Sequence, residues 1–200
     1  MIPASALLFA YLLGGIPFGF LLVRWKTGKD VRALGSGNIG ATNVLRTTGR
    51  AAGVIVLLLD IGKGFAALWV MDRASDASPL WMSLAALAVI AGHAFPAFLK
   101  FKGGKAVATF IGAFLYLAAV PLACVLVVFV VVVAATKYIS LGSIIAAGSF
   151  PFAVWLIEHP PWPVVGAALA AGAFIVWRHE ANIVRIRAGN ENVFKFGGSK

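Results

Sequence analysis

Three polar segments interrupt an otherwise apolar chain, and each carries residue types suited to holding a phosphate group. The first is Gly35-Ser36-Gly37-Asn38-Ile39-Gly40-Ala41-Thr42-Asn43-Val44-Leu45-Arg46. Closely spaced glycines let successive backbone N–H groups turn toward one anion. Ser36, Asn38, Thr42 and Asn43 add neutral donors, and Arg46 adds a planar fork that matches phosphate oxygens. The segment also spells G-x-G-x-x-G, with Asp60 placed 20 residues beyond Gly40, which imitates a dinucleotide-binding fingerprint. Context excludes that reading, because no buried strand precedes Gly35 and Asp60 lies in an apolar stretch of membrane type. A flexible interhelical loop is the plain alternative.

The second segment runs from Gly92-His93-Ala94-Phe95-Pro96 through Lys100-Phe101-Lys102-Gly103-Gly104-Lys105 to Thr109. It is not a Walker A loop, since Leu99 stands where the leading glycine would have to be. Two glycines leading into Lys105 at a helix start still suit an anion. His93 reads more readily as a helix-end packing or hydrogen-bonding residue than as a base, and Lys100 and Lys102 read equally as ordinary positive-inside charges or as part of the anion site. The third part combines Lys137-Tyr138-Ile139-Ser140-Leu141-Gly142-Ser143 with Arg178-His179-Glu180-Ala181-Asn182. Ser140 and Ser143 are placed to cap the following helix. If the helix before them continues past the membrane, His179 and Asn182 share one of its faces.

What positions these segments follows from composition. Of 200 residues, 61% are apolar and 12% charged, about half the charge of a soluble protein. That excludes a disulfide scaffold, a disordered chain and a soluble nucleic-acid binder. The solvent for this fold is lipid. Cys124 is the sole cysteine, a small hydrophobe without a disulfide partner in the chain. The first cation is Arg24, so the start of the chain does not read as a secretory signal.

Low-charge apolar stretches occur at 3–23, 51–71, 80–99, 106–135, 142–157 and 163–177. The fourth, 106–135, is about 45 Å long as a single helix, and Pro121 sits mid-way. It is either one kinked span or two short ones turning near Pro121. Counted as one span, it leaves the basic residues nearly evenly divided between the two faces. Counted as two, it places fifteen of the seventeen Lys and Arg residues on one face. The positive-inside rule therefore selects seven crossings, with the N-terminus outside and the C-terminus in the cytoplasm. The expected fold is all-α and polytopic, a single transmembrane domain over 1–200 with its chemistry on the cytoplasmic face. In that topology three membrane helices begin where the polar segments end. Their unpaired N–H groups and positive dipole ends would then meet one anion site. Asp60 and Lys63, three apart within an apolar run, are expected to pair or to brace a loop.

On these motifs the sequence resembles the bacterial acyl-phosphate:glycerol-3-phosphate acyltransferases, integral membrane enzymes of phospholipid synthesis. The family pattern G-S-G-N-x-G-x-T-N-x-x-R fits residues 35–46 throughout. Its second pattern, G-H-x-x-P-x-F followed by F-K-G-G-K-G-V-A-T, is met at 92–98 and 101–109 except that Ala106 replaces a glycine. Its third, H-R-E-N-I, is met more loosely by His179-Glu180-Ala181-Asn182-Ile183. The resemblance covers nearly the whole chain. It implies transfer of a fatty acyl group from acyl phosphate to the 1-hydroxyl of glycerol 3-phosphate, giving lysophosphatidic acid and phosphate.

Under that resemblance Ser36, Lys105 and His179 are the expected catalytic residues. Ser36, Gly103, Gly104 and Lys105 would cradle the acyl-phosphate head, while Arg46, Ser143, His179 and Asn182 would position glycerol 3-phosphate. Gly37, Asn38, Thr42 and Asn43 would shape the first loop or donate to phosphate. The chain lacks the H-x-x-x-x-D pair of the other large glycerolipid acyltransferase class, so a phosphate oxygen of the donor is expected to take the hydroxyl proton. No carboxylate cluster suits a metal, and no cofactor is expected. Membrane lipids are expected partners and nucleic acid is not. A monomer is expected, with contact to the soluble enzyme that makes acyl phosphate. An anion transporter and an acyl-thioester-dependent enzyme are the alternatives. The first is disfavoured because polar groups gather on one face and the three motifs are dissimilar.

Overall fold

A computed structural model describes residues 2–194. Lys195 and Lys200, two of the cations assigned above to the cytoplasmic face, lie outside them. The chain divides into two compact units, Met1–Leu117 and Ala118–Lys200. All regular structure among the described residues is helical.

In the first unit, α1 (Pro3–Gly14) and α2 (Phe18–Thr27) are parted at Pro17, which has no N–H to continue the ladder. A short helix α3 (Ala41–Thr48) precedes the long α4 (Arg50–Ser75), then α5 (Pro79–Ala94) and α6 (Val107–Leu117). Small residues let these helices meet backbone to backbone, as membrane helices do when lipid removes the hydrophobic drive between them. A Cβ on Gly14 would overlap Val89 O across α1 and α5, and one on Gly64 would overlap Thr109 O across α4 and α6. The second unit packs α7 (Ala119–Thr136) on α8 (Ile139–Glu158), and α8 on α9 (Trp162–Arg178), with α10 (Glu180–Arg187) closing the set.

Among the described residues, five helical segments are long and apolar enough to cross a bilayer: Pro3–Thr27, Arg50–Ser75, Pro79–Leu99, Ala119–Thr136 and Ile139–Glu158. The bent pair α9–α10 makes a sixth. The protein is therefore all-α and polytopic. The 11-residue α6 is about 16 Å long, short of the roughly 30 Å hydrocarbon core. Full-length spans among the described residues thus number five or six, where seven crossings are expected from sequence.

The long fourth stretch is two helices parted near Pro121, as expected, while two other local expectations are corrected. The break falls at Ala118 (φ −156°, ψ 67°), and Pro121 lies inside the first turn of α7. Proline is at home there, because a first-turn N–H has no helical acceptor to lose. The helix carrying His179 does not run on: α9 and α10 meet at a 54° bend, with His179 itself outside helical geometry (φ −98°, ψ 10°). Ser140 and Ser143 do not cap α8, which starts at Ile139 after Tyr138 and has no side-chain cap.

Candidate active site

The first motif forms a loop tied around one side chain. Asn43 is buried, and its amide donates to Leu34 O (3.0 Å), Asn38 O (2.8 Å) and Val31 O (3.3 Å). Its Oδ1 accepts from the Ser36 N–H at 2.9 Å. The Gly37 N–H is donated to Leu34 O (3.0 Å) and that of Gly40 to Asn38 Oδ1 (2.8 Å). These loop amides therefore turn inward rather than toward a shared anion, those of Ser36 and Gly40 to asparagine side chains and that of Gly37 to a backbone carbonyl. Gly35 and Gly37 sit at φ 56° and 71°, where side chains are disfavoured. Beneath the loop, Ile39 and Val44 pack into a buried cluster with Val23, Val31, Ala52, Val56 and Leu99. Ser36 and Arg46 remain exposed, and Thr42 is half-buried in α3. The loop leads into α3 rather than directly into the membrane helix α4, contrary to the sequence expectation.

The second motif lies along the end of α5. The Gly103 N–H donates to Ala94 O (3.1 Å) and the Gly104 N–H to His93 O (3.2 Å). A Cβ on Gly103 would overlap His93 O, and one on Gly104 would overlap His93 Nε2 and lie 3.3 Å from Ile39 Cγ1. The glycines are needed for this close approach, which also brings the first and second motifs together at Ile39 and Gly104. Lys105 follows, half-buried, ahead of α6. Ala106 holds φ 61°, so the alanine that replaces the family glycine occupies the left-handed conformation, at a cost of about 1–2 kcal/mol.

Behind these glycines lies a buried polar group that sequence reasoning only half found. The pairing of Lys63 with Asp60 is as expected, Nζ to Oδ1 at 2.8 Å, and Lys63 also donates to Ile16 O at 3.0 Å. The association of His93 with them was missed. Its Nδ1 is 3.6 Å from Asp60 Oδ1 and 3.1 Å from Thr109 Oγ1. No fixed sequence spacing signals this, since the residues come from α4, α5 and α6.

The second unit holds the third motif. His179 Nδ1 bonds Ile175 O at 2.7 Å, which makes Nδ1 the protonated nitrogen. Ser143 Oγ donates to Ile139 O at 2.9 Å. Asn182 is buried and donates through Nδ2 to Glu191 Oε1 at 2.8 Å. The same oxygen accepts from Ser140 Oγ (3.1 Å), and Oε2 accepts from Arg185 Nε (2.8 Å). Burial pushes the Glu191 carboxyl up, but donation from Asn182, Arg185 and Ser140 outweighs it and leaves the group below the usual range. Glu191 was also missed, because it stands beyond the motifs, 51 residues from Ser140.

Taken together, these features define an integral membrane protein whose three polar motifs are internally hydrogen-bonded segments at helix ends. Residues 4–189 match the family model described as glycerol-3-phosphate acyltransferase. The chain is 46% identical over 186 residues to the glycerol-3-phosphate acyltransferase of Geobacter sulfurreducens, covering 93% of this chain and 94% of that one. It is 44% identical over 191 residues to that of Desulforamulus reducens, covering 96% and 94%. Its backbone matches the crystal structure of PlsY (YgiH), an integral membrane glycerol 3-phosphate acyltransferase, in the glycerol 3-phosphate form. There the TM-score is 0.92 at 36% identity, over 96% of each chain. Against the lysophosphatidic acid form of PlsY the TM-score is 0.88 at 34% identity, over 96% of this chain and 95% of that one. The chain belongs to the glycerol-3-phosphate acyltransferase family. It is an acyltransferase, and the transporter alternative falls away.

Proposed function

We propose that this enzyme moves a fatty acyl group from acyl phosphate to the 1-hydroxyl of glycerol 3-phosphate, releasing lysophosphatidic acid and phosphate. The observation that carries the acceptor and product is the match to PlsY in both its glycerol 3-phosphate and lysophosphatidic acid forms. Acyl phosphate as donor is supported by the motif resemblance and by the Gly-Gly-Lys segment. An acyl phosphate is an activated mixed anhydride, so the enzyme chiefly has to orient the reactants and stabilise the departing charge.

In this reading Lys105 and Ser36 meet the donor phosphate, and Gly103 and Gly104 shape the chain that presents Lys105. Arg46, Ser143, His179 and Asn182 position glycerol 3-phosphate, while Asn38, Thr42 and Asn43 maintain the first loop, with Gly37 at its turn. The acceptor oxygen attacks the acyl carbon, the acyl C–O bond to phosphate breaks, and the hydroxyl proton passes to a phosphate oxygen of the leaving group. No divalent metal takes part, and a strict metal requirement would count against the mechanism.

We also propose seven crossings, with the N-terminus outside and the C-terminus and chemistry on the cytoplasmic side of the bacterial inner membrane. Support comes from the fifteen cations this arrangement gathers on one face. The whole chain, 1–200, is proposed to act as one monomeric domain that receives its donor from the soluble enzyme producing it. The test offers purified protein glycerol 3-phosphate with acyl phosphate, acyl-CoA or acyl carrier protein in turn, measuring phosphate and lysophosphatidate. Product from acyl phosphate supports the proposal, and product from a thioester alone refutes the donor.

A further inference from the structure

Asp60, Lys63, His93 and Thr109 are all buried, each at 4% exposure or less. None takes part in the transfer step above. Polar groups in such surroundings are costly unless paired, and these four converge on one imidazole. On the Nδ1 side of His93 stand Asp60 Oδ1 at 3.6 Å and Thr109 Oγ1 at 3.1 Å, with Lys63 holding the carboxylate at 2.8 Å. The other edge of the ring faces Gly104, whose added Cβ would overlap Nε2 and come within 3.1 Å of Cδ2. The end of α5 is anchored separately, since Tyr11 Oη donates to Phe95 O at 2.7 Å.

We propose that His93 is a positioning residue for the donor phosphate subsite. Its ring, oriented by Asp60, Lys63 and Thr109, forms the wall against which Gly104 rests, and the height of Gly104 sets the direction of Lys105. A buried ion pair is weak support for stability as such. Here its work is to hold a ring, and through the ring a lysine. This rests on the reading that Lys105 meets the phosphate of acyl phosphate.

The contact between ring and glycine gives a test that a merely structural role would not pass. His93→Ala, Gly104→Ala and the double variant are purified as full-length protein, with kcat and KM measured for each substrate. Gly104→Ala pushes its methyl into the imidazole, raising KM for acyl phosphate about tenfold or more. His93→Ala raises that KM about tenfold while KM for glycerol 3-phosphate moves less than about twofold. In the double variant the missing ring makes room for the methyl, so the defect is smaller than the product of the two single defects. Unchanged donor KM in His93→Ala, equal rises in both KM values, or defects that multiply in the double variant would each overturn the proposal. If His93→Ala does not survive purification, His93→Gln carries the same comparison with smaller effects. A native enzyme active only with thioesters would refute the donor assignment instead. The suppression between 93 and 104 would then be read on the thioester KM.

Discussion

Two residues, one in each unit, organise their surroundings by gathering hydrogen bonds, and they do so in opposite ways. Asn43 is a neutral amide that ties its own neighbourhood, with partners no more than 12 residues away. Glu191 is a carboxylate that draws together Ser140, Asn182 and Arg185 across up to 51 residues. The first makes a loop that folds on itself before any charge is involved. The second makes a tertiary clamp that holds its donors most strongly while Glu191 is ionised. The first and third motifs are thus supported by one device indifferent to pH and one that depends on it.

The comparison breaks most directly at Asn43. Asn43→Ala leaves the Ser36 N–H and three carbonyls without their partner, so it should cost about 2–4 kcal/mol. Thermal unfolding in detergent should show that loss unchanged between pH 4 and 8. Glu191→Gln retains a carbonyl for Asn182 or Ser140 but removes the charge facing Arg185, a loss of about 1–3 kcal/mol. A variant as stable as the native chain would show that the clamp is idle.

The difference between native protein and Glu191→Gln should itself depend on pH. The folded carboxyl lies below its ordinary value, so its contribution is complete above the unfolded pKa of about 4.3. It is lost as pH falls through the folded value. Unfolding midpoints of the two proteins should therefore converge in acid, and a gap that widened below pH 4 would contradict the clamp. The smallest effect concerns Ala106 at φ 61°. Ala106→Gly relieves left-handed strain but adds freedom to the unfolded chain, leaving a gain of about 0–1 kcal/mol. A clear loss in the unfolding midpoint would show that Ala106 is not strained at this φ.

The same contrast explains what could be read from sequence. Apolar runs located the membrane helices, because lipid demands long low-charge segments and little else imitates them. Asp60 and Lys63 were legible as a pair because helix geometry brings residues three apart together. Asn43 was legible as a loop former because its partners are close in sequence. Glu191 and the Asp60–His93 contact were not, since nothing local records which distant helix will supply a partner. Pro121 marked the break in the fourth stretch to within three residues, because the chain turns at Ala118 and proline is tolerated in the first turn of α7. The inward-turned glycine amides were hidden for a different reason. Asn38 and Asn43 compete for the same N–H groups that an anion would use, and composition alone does not say which wins.

Lys105 is the cation proposed to meet the donor phosphate, as against those proposed only to face the membrane surface. Turnover of acyl phosphate and glycerol 3-phosphate by Lys105→Ala, beside Lys26→Ala at an exposed position, tests this in one assay. Lys105→Ala should fall by about a hundred- to a thousandfold, while Lys26→Ala keeps native activity. Equal activity in the two variants would contradict the assignment.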